Sequence, residues 1–579
     1  MAADDKDGAR NAFINDIVSR FAWPDYIVFV LMLLLSASIG VFFGFFSKKK
    51  QDSKEFLMAG KSMTTFPVAM SLVASFMSAI TLLGTPSEVY QHGTVYWLIG
   101  FSYFLVMPSA AYLYLPVFLN LQVTSAYEYL EIRFHRSVRM LGSSIFILQM
   151  SLYMAIVVYA PALALSQVTG LNTYLSCTLI CFVCIFYTVL GGMKAVLWTD
   201  TLQVIIMYGS IMFVILKGMV DQGGFDEVWR KNVEGGRVEL INWDPNPLTR
   251  HTFWTLVVGG YFTWITIYGT NQAQIQRYMS VRKGYMAVRA LWINLFALFF
   301  LMLTCSFGGM VIYAKYQGCD PIKNGYISKG DQLFPLFVMD TLGHLPGLPG
   351  FFVAGIFSGA LSTVSSGMNS LAAIVLEDFL RGGCWPSISE ENAIRASKVL
   401  SLFFGILTFC LVFVAEQLGD VLSAALSIFG MVGGPLLGTF TLGMFFPWAN
   451  AKGAFVGTLS GLGLVFWIGV GFQVSKLQGL VSGSSLPTDI DSCPQLNFTS
   501  LLGSETEKPE ILAIYKLSYM WYSATGCFTV IIVGMIISLI TGKQNVRKLN
   551  PDTLSPGCML FKRWLPGMEG LGEECVIEE

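Results

Sequence analysis

Charge is scarce in this chain of 579 residues. Charged residues make up 13% of it, hydrophobic residues 54%, and the mean hydropathy is +0.61. A soluble domain carries roughly 25% charged residues, so the composition excludes a string of soluble domains. The 36 basic residues are balanced by 37 acidic ones, whereas a nucleic-acid-binding protein needs a basic excess. The class that remains is a protein that crosses a membrane many times.

The common catalytic and channel motifs are also missing. The chain has 4 histidines and contains neither an H-E-x-x-H zinc motif nor a G-x-S-x-G nucleophile elbow. It has no P-loop, no arginine-rich voltage-sensor segment and no potassium-filter motif. These absences disfavour an enzyme, an ATP-driven pump and a voltage-gated channel. The sequence therefore predicts a secondary transporter that needs no cofactor beyond a coupling ion.

Long apolar segments are what the sequence has instead. A helix that crosses the hydrocarbon core needs about 20 apolar residues. Thirteen segments qualify as spans: 26–46, 67–84, 95–117, 141–165, 174–190, 201–216, 253–270, 291–313, 351–376, 399–414, 421–445, 454–472 and 517–540. They predict an all-α transporter domain over 26–541, preceded by an arm at 1–25 and followed by a tail at 542–579.

The distribution of lysine and arginine orients these spans, because both residues favour cytoplasmic loops. An outside N-terminus places the run Lys48-Lys49-Lys50 and the basic tail inside. The same topology places 473–516 outside, and this loop holds Asn497 in the single N-x-S/T sequon. We therefore predict an extracellular arm, a cytoplasmic tail and glycosylation of Asn497. Cys319 and Cys493 both fall outside, and the sequence leaves open whether they pair.

Hydroxyl residues recur in two spans that lie five apart. The second span has Ser75, Ser78 and Thr81 near its centre, and the stretch 259–272 is again rich in glycine and hydroxyls. Secondary transporters often carry interrupted helices at matching positions of two inverted halves. This spacing predicts a 5+5 inverted repeat of spans 2–6 (67–216) and 7–11 (253–445). The alternative is that the small residues only let helices pack closely.

The ninth span is richer still in hydroxyls. Residues 358–370 hold six hydroxyls and one amide, with Ser362 and Thr363 adjacent. Uncharged oxygen atoms are suitable ligands for a small alkali cation that sheds its water. The stretch therefore indicates cation coordination, and helix–helix contact is the alternative.

Four ordered motifs resemble one known family. They are Ala74-Ser-Phe-Met-Ser-Ala79, Gly84-Thr-Pro-Ser-Glu-Val-Tyr90, Gly191-Gly-Met-Lys-Ala-Val-Leu-Trp-Thr-Asp200 and Asn271-Gln-Ala-Gln-Ile-Gln-Arg-Tyr278. The chain resembles the sodium/solute symporter family from about residue 26 to 543, in the branch of the multivitamin and monocarboxylate transporters. The resemblance implies a LeuT-like fold and sodium-driven uptake of a solute into the cell.

The resemblance also implies the roles of particular residues. A sodium ion would be bound by the backbone carbonyls of Ala74, Met77 and Gly359 and by the hydroxyls of Ser362 and Thr363. The central cavity would be lined by Phe76, Ser78, Thr81 and Tyr153, with Trp254 in the cavity or at an outer gate. Asp200 matches a carboxylate linked to sodium-dependent function. Its alternative is a charge at a helix N-terminus, where the dipole favours it.

The expected substrate is an organic monocarboxylate, either a vitamin such as biotin, pantothenate or lipoate, or a short-chain acid. No predicted span carries Lys or Arg near its middle, so the anion would depend on helix N-termini and on sodium. One charge moving through 100 mV is worth about 2.3 kcal/mol, so we expect electrogenic symport with at least two sodium ions.

The alternatives are an iodide-like or sugar/inositol symporter, or a non-transporting sodium-conducting sensor. We expect a plasma-membrane protein whose partners are sodium, the organic anion and the bilayer, with no nucleic acid. The oligomeric state and the particular monocarboxylate are left open.

Overall fold

The computed structural model describes residues 16–45, 53–76, 78–418, 420–478, 480, 485–490, 493 and 512–560. Within these ranges the chain is helical and forms no β-strand. A single isolated bridge joins Met63 and Val281. The predicted all-α class is confirmed. Met77, Asn497 and the side chain of Phe76 lie outside the described part of the chain.

The helices are, in chain order, α1 (Trp23–Phe45), α2 (Ser53–Met58), α3 (Thr65–Phe76), α4 (Ala79–His92), α5 (Ile99–Ser109), α6 (Leu115–Leu121), α7 (Glu128–Arg133), α8 (Arg136–Thr169), α9 (Thr173–Asp221), α10 (Phe225–Glu234), α11 (Gly260–Thr270), α12 (Gln272–Met279), α13 (Gly284–Tyr316), α14 (Leu333–Leu342), α15 (Leu348–Ile374), α16 (Glu390–Ala415), α17 (Val421–Ile428), α18 (Gly434–Phe445), α19 (Ala451–Leu477), α20 (Tyr522–Thr541) and α21 (Pro556–Leu560). Four π-helical segments adjoin them: Ala110–Tyr114, Trp254–Gly259, Val375–Cys384 and Phe429–Gly433.

Among the described residues, 10 helices are long and apolar enough to cross a membrane, or 11 if the bent pair α3 and α4 is one span. The predicted number is larger for two visible reasons. The seventh predicted span, in which the π-helical segment Trp254–Gly259 leads directly into α11, is not among these helices. In addition, α9 has 49 residues, about 74 Å of helix, which is more than twice the thickness of the hydrocarbon core. Thirteen spans and their orientation stay predictions.

The long helix α9 reverses direction at Gly192. Approaching Gly192, α9 runs in the same direction as α15: the Tyr187 hydroxyl donates to the carbonyl of Leu361, and at the turn Met193 lies beside Asn369, two turns further along α15. After it, the contacts return along α15 to Gly355, where an added Cβ would meet Ser210. Gly192 has φ 56°, and a Cβ there would meet a backbone oxygen at 2.7 Å. Only glycine fits this turn, so α9 supplies two antiparallel spans.

The first helix of each predicted repeat is interrupted. The axes of α3 and α4 differ by 51°, and Ser78 between them is extended, with ψ 162°. Asn271 separates α11 from α12 and is also extended, with ψ 129°. Its side chain accepts a hydrogen bond from Ala273 N at 2.9 Å and so caps α12. Interrupted helices at matching positions fit the LeuT-like fold, because non-helical backbone at membrane depth is tolerated where protein covers it or a cavity adjoins it.

Helix α15 forms the centre of the bundle. It packs against α3, α8, α9 and α16, and every residue from Phe352 to Ile374 is buried. The hydroxyl-rich stretch 358–370 therefore faces protein on all sides. A polar stretch in this position needs protein or ion partners, because neither water nor lipid surrounds it.

The loops on the predicted outer side are joined by a disulfide. Cys319 and Cys493 are bonded, which settles the pairing that the sequence left open. Around this bond the Asp320 amide donates to Asp489 O at 2.9 Å, and the Lys323 ammonium donates to Thr488 O at 2.7 Å. The segment 485–490 is thereby held against the loop that follows α13.

On the predicted inner side, the chain after the last span folds back under the bundle. The Tyr129 hydroxyl of α7 donates to Thr553 O at 3.1 Å, and the Ser555 amide donates to Met444 O at 3.0 Å. Next to them Arg133, 2% exposed, donates to four carbonyls at the end of α18, those of Gly443, Phe446, Pro447 and Ala449. We call these contacts the inner clasp; they connect α7, the end of α18 and residues 553–555.

Candidate functional site

The break between α3 and α4 produces the first half of the candidate sodium site. The last carbonyls of a helix have no amide one turn further on to donate to them. Ala74 lies in this last turn of α3 and is fully buried, so its carbonyl is available to a cation. The third predicted carbonyl ligand, that of Met77, lies outside the described residues.

Helix α15 provides the second half across the break. The Thr363 hydroxyl lies 3.3 Å from Ser75 O on α3 and 3.0 Å from Gly359 O on α15. It therefore sits between carbonyl groups of two helices, at the position predicted for a ligand. The neighbouring Ser362 hydroxyl is buried and faces the Asp200 carboxylate of α9.

The other hydroxyls of the stretch already have partners. Ser358, Ser365 and Ser370 each donate to a carbonyl of α15 itself, at 2.8, 3.0 and 2.9 Å. Such bonds to the preceding turn are ordinary for serine in buried helices. The fourth, Ser366, accepts a hydrogen bond from Arg277. Thr363, which also reaches Ser75 O across the break, and Ser362, which faces Asp200, are therefore the two that fit a cation site.

A buried ion pair lies directly beside this site. The Arg277 guanidinium of α12 approaches Asp200 of α9 to 3.4 Å, and both side chains are fully buried. Arg277 also donates to Ser71 at 2.7 Å and to Ser366 at 2.5 Å, and Ser71 donates to Asp200. The Ser362 hydroxyl also contacts the Asp200 carboxylate. Asp200 thus connects the cation site to Arg277.

Arg277 is a residue that the sequence analysis missed. Its motif was recognised, but the predicted seventh span ended at 270, which assigned the following residues to a loop. The signal was Asn271, a helix-capping residue that starts α12 and folds the segment back into the bundle. The Arg277 guanidinium therefore places a fixed positive charge at Ser71, one turn before Ser75 on α3. The sequence alone predicted that only helix N-termini and sodium supply positive charge inside the bundle. Asp200 neutralises the charge of Arg277.

The central cavity lies on the other side of the break. Its lining is Ser78, Ile80, Thr81, Thr85, Tyr96, Ile99, Tyr103, Tyr153, Trp264, Ile267, Met302, Leu422, Ala425, Leu426 and Phe429. Three of the predicted cavity residues, Ser78, Thr81 and Tyr153, are together in this set. Trp254 is not in it and is 42% exposed on the surface. No lysine or arginine lines the cavity among the described residues.

Several lining residues were not singled out from the sequence. The Thr85 hydroxyl is buried, and it has no hydrogen-bond partner in the described chain. It lies one turn after Thr81 and so extends the same polar face of α4. The rings of Tyr103 and Trp264 are in edge contact at 5.1 Å. Their sequence positions look like those of ordinary core aromatics, so only the fold shows that they reach the cavity.

Tyr153 and Phe429 separate two spaces. Their rings meet edge to face, with 4.6 Å between the centroids. The central cavity of about 30 Å³ lies on one side, and a space of about 10 Å³ lined by Ser75, Thr363 and Arg277 lies on the other. Thirty cubic ångströms is roughly the share of one water molecule in the liquid. Binding of an organic solute therefore requires the surrounding helices to move apart.

Comparison with known proteins agrees with this geometry. The family model of the sodium:solute symporters matches residues 56–461. The chain is 44% identical over 552 residues to sodium-coupled monocarboxylate transporter 2 of Mus musculus, covering 94% of this chain and 88% of that one. It is 45% identical over 554 residues to the sodium-dependent multivitamin transporter of Oryctolagus cuniculus, covering 93% and 86%.

Among solved structures, a Na+-coupled sialic acid symporter in a substrate-bound outward-open state superposes with a TM-score of 0.74. The identity is 23%, and the match covers 90% of this chain and 99% of the other, so it shows the fold. The chain belongs to the sodium:solute symporter family. It is therefore a multi-pass membrane transporter with sodium as the coupling ion, and it is not an enzyme.

Proposed function

We propose that this protein carries an organic monocarboxylate into the cell across the plasma membrane by sodium-coupled, electrogenic symport. The observation that carries the proposal is the pairing of Thr363 with Ser75 O across the α3–α4 break, next to the buried Ser362 hydroxyl that faces Asp200. Relatives at 44% and 45% identity are named for monocarboxylate and multivitamin transport. The compounds in both classes share one carboxylate.

In this proposal the sodium ion is bound by carbonyls of Ala74, Met77 and Gly359 and by hydroxyls of Ser362 and Thr363. The ligand set is neutral, which suits a singly charged ion that must also be released. Because the site joins α3 to α15, an ion there would strengthen the link that the hydrogen bond from Thr363 to Ser75 O makes between these two helices. Sodium binding would thus favour one arrangement of the bundle over another.

Asp200 is proposed to take part in coupling from the neighbouring position. The Oδ1 oxygen of Asp200, with the Ser362 hydroxyl facing the carboxylate, offers an anionic complement to the neutral site. A sodium ion near this oxygen would weaken the attraction between Asp200 and Arg277, because one carboxylate would then serve two cations. Through Asp200, binding of sodium would thus make it easier for the Arg277 side chain to move away from the carboxylate.

The substrate is proposed to bind in the central cavity, near Ser78, Thr81, Thr85 and Tyr153. These hydroxyls can donate hydrogen bonds to a carboxylate, while the apolar walls accept the carbon chain. Without a lining cation, the charge of the substrate must be balanced by co-transported sodium. A monoanion that enters with two sodium ions carries net positive charge inward, which the membrane potential drives by about 2.3 kcal/mol per 100 mV.

The test is uptake of radiolabelled biotin, pantothenate, lactate, butyrate and iodide in parallel, with and without sodium, in cells that express the protein. We expect sodium-dependent uptake of at least one organic monocarboxylate, with an inward current. Uptake of iodide and of none of the organic acids would show that the substrate is an inorganic anion and would contradict the proposed substrate class. Sodium current without uptake of any of the five would favour the sensor and contradict symport.

A further inference from the structure

A second, larger cavity lies beside the central one. It measures about 180 Å³ and lies between the α17 region, α19 and the start of α20; we call it the side cavity. Ile428, Met431 and Phe472 are among its apolar wall residues, and Arg250 and Lys476 line it as well. No acidic residue is part of its lining among the described residues. The side cavity thus combines apolar walls with positive charge.

Helix α17 is the partition between the two cavities. Leu422 and Ala425 line the central cavity, whereas Ala424 and Ser427 line the side cavity. Residues one turn apart share a face of a helix, so the two pairs mark opposite faces. Any ligand in the side cavity therefore contacts the helix that closes the central cavity.

The side cavity contains an unused hydrogen-bond donor. Tyr522 lines it and is 1% exposed, and its hydroxyl has no partner in the described chain. A buried hydroxyl that has left water without a new partner is unfavourable. The arrangement is explained if an acceptor atom of a ligand occupies the space in front of it.

The cationic groups at the cavity are also incompletely paired. Arg250 uses Nε to donate to Glu88 at 2.7 Å, and its side chain is 28% exposed. Its two terminal nitrogens make no hydrogen bond to the described residues. Lys476 is 39% exposed and lies 3.8 Å from Asp420. Arg250 and Lys476 can therefore both attract an anion, and the planar guanidinium edge fits a carboxylate.

We propose that the side cavity binds an amphipathic organic monocarboxylate, with its carboxylate at Tyr522 and Arg250 and its carbon chain against Met431 and Phe472. The volume suits a chain of medium length better than a large ring system. Lys476 attracts the anion at the entrance. In the predicted topology the cavity opens on the outer side of the membrane.

Occupancy of the side cavity restrains α17. The helix continues into the π-helical segment Phe429–Gly433, whose Gly430 lies close enough to Tyr522 that an added Cβ would meet the tyrosine Cβ at 2.7 Å. Interrupted helical geometry of this kind often marks a place where a helix changes shape. A ligand wedged behind α17 keeps the helix against the central cavity, so the bound anion inhibits transport without competing for the central site. This consequence rests on the proposed function; the binding itself does not.

The binding is tested by photolabelling, which requires no transport. The purified full-length protein in phosphatidylcholine nanodiscs is exposed to a ten-carbon diazirine carboxylic acid, or to the alcohol of the same chain, and labelled peptides are identified by mass spectrometry. We expect the acid to label 421–431 or 469–476 at least fivefold more than the alcohol does. Tyr522→Phe, which removes only the hydroxyl, should reduce labelling about tenfold, or about 1.4 kcal/mol. Tyr515→Phe, outside the cavity lining, is the matched control.

Three results would overturn the site. The first is equal labelling by acid and alcohol, which indicates partition from the bilayer. The second is labelling unchanged both by Tyr522→Phe and by the cavity-filling variant Ala424→Trp. The third is protection by phosphatidylglycerol but not by octanoate, which assigns the cavity to a lipid headgroup.

The inhibition is tested separately by sodium-dependent uptake in the presence of octanoate. We expect a lower maximal rate at unchanged KM, and an inhibitory concentration about tenfold higher in Tyr522→Phe. Competitive inhibition that Tyr522→Phe leaves unchanged would assign octanoate to the central cavity and contradict the regulatory role. If the protein transports nothing, the labelling experiment still decides whether the side cavity binds the anion.

Discussion

Replacement of Thr363 by valine tests the sodium site with little change in shape. Valine keeps the branched side chain and replaces the hydroxyl, which lies 3.3 Å from Ser75 O and 3.0 Å from Gly359 O. If sodium is bound here, the variant loses one oxygen ligand and the contact across the helix break. Interactions of a neutral hydroxyl with a charged group are worth about 1.5–3 kcal/mol.

With tenfold in affinity for every 1.4 kcal/mol, the sodium concentration for half-maximal uptake should rise by roughly 10- to 100-fold. Thr363→Ser keeps a hydroxyl and should stay within about threefold of the natural protein. The matched control is Ser358→Ala on the same helix, because that hydroxyl only bonds to Ala354 O at 2.8 Å. It should change sodium dependence by less than about twofold.

The assay is the sodium dependence of substrate-evoked current in oocytes, with surface biotinylation to normalise the amount of protein. A Thr363→Val protein that reaches the surface with unaltered sodium dependence would refute the site. Equal shifts in Thr363→Val and Ser358→Ala would also refute it, since they would show that loss of any buried hydroxyl of α15 disturbs the bundle. Ser362→Ala should resemble Thr363→Val.

Three further outcomes follow from buried charges. Asp200→Asn and Arg277→Gln should each lower the melting temperature of the purified protein strongly, since breaking a buried ion pair costs about 3–5 kcal/mol. The double variant, which leaves neither charge unpaired, should melt at a higher temperature than either single variant. A double variant whose melting temperature falls by the sum of the two single effects would argue against the pair. Arg133→Lys should lower the melting temperature by several degrees, because lysine cannot serve the four carbonyls that Arg133 binds, while the exposed Arg136→Lys should not. Burial lowers the pKa of His251 from 6.5 to about 3. The contribution of the neutral histidine to stability is therefore complete above pH 6.5 and is lost as the pH falls towards 3, by about 1.4 kcal/mol per pH unit. Between pH 7.5 and pH 5.5 the melting temperature should decrease less in His251→Gln than in the natural protein.

Composition and hydropathy predicted the membrane class and the helical fold, because burying apolar side chains in lipid leaves a strong one-dimensional signal. The same signal cannot show where a helix turns back. The reversal at Gly192 and the break between α11 and α12 at Asn271 both depend on single residues with non-helical backbone angles. Their cause is the close approach of neighbouring helices, which no local pattern contains.

The hydroxyl-rich stretch of α15 was recognisable, but the sequence could not rank its members. Ser362 differs from Ser365 only in what lies opposite, and that is decided by the positions of α3 and α9. Arg277 was missed because a short helix returns it to the interior after the predicted span has ended. Tyr522 lies in the predicted span 517–540, but that its hydroxyl has no partner in the described chain appears only once three helices enclose it.

The inner clasp has a practical consequence for how the protein is handled. Residues 553–555 are bonded both to α7 and to the end of α18, so the folded unit extends past the last membrane helix. A fluorescent reporter joined at 541 would replace this segment and leave the Tyr129 hydroxyl and the Met444 carbonyl without their partners. A reporter joined after 560 keeps both bonds. The junction chosen for a fusion therefore determines whether the protein keeps the inner clasp or lacks residues 553–555 and their contacts with α7 and α18.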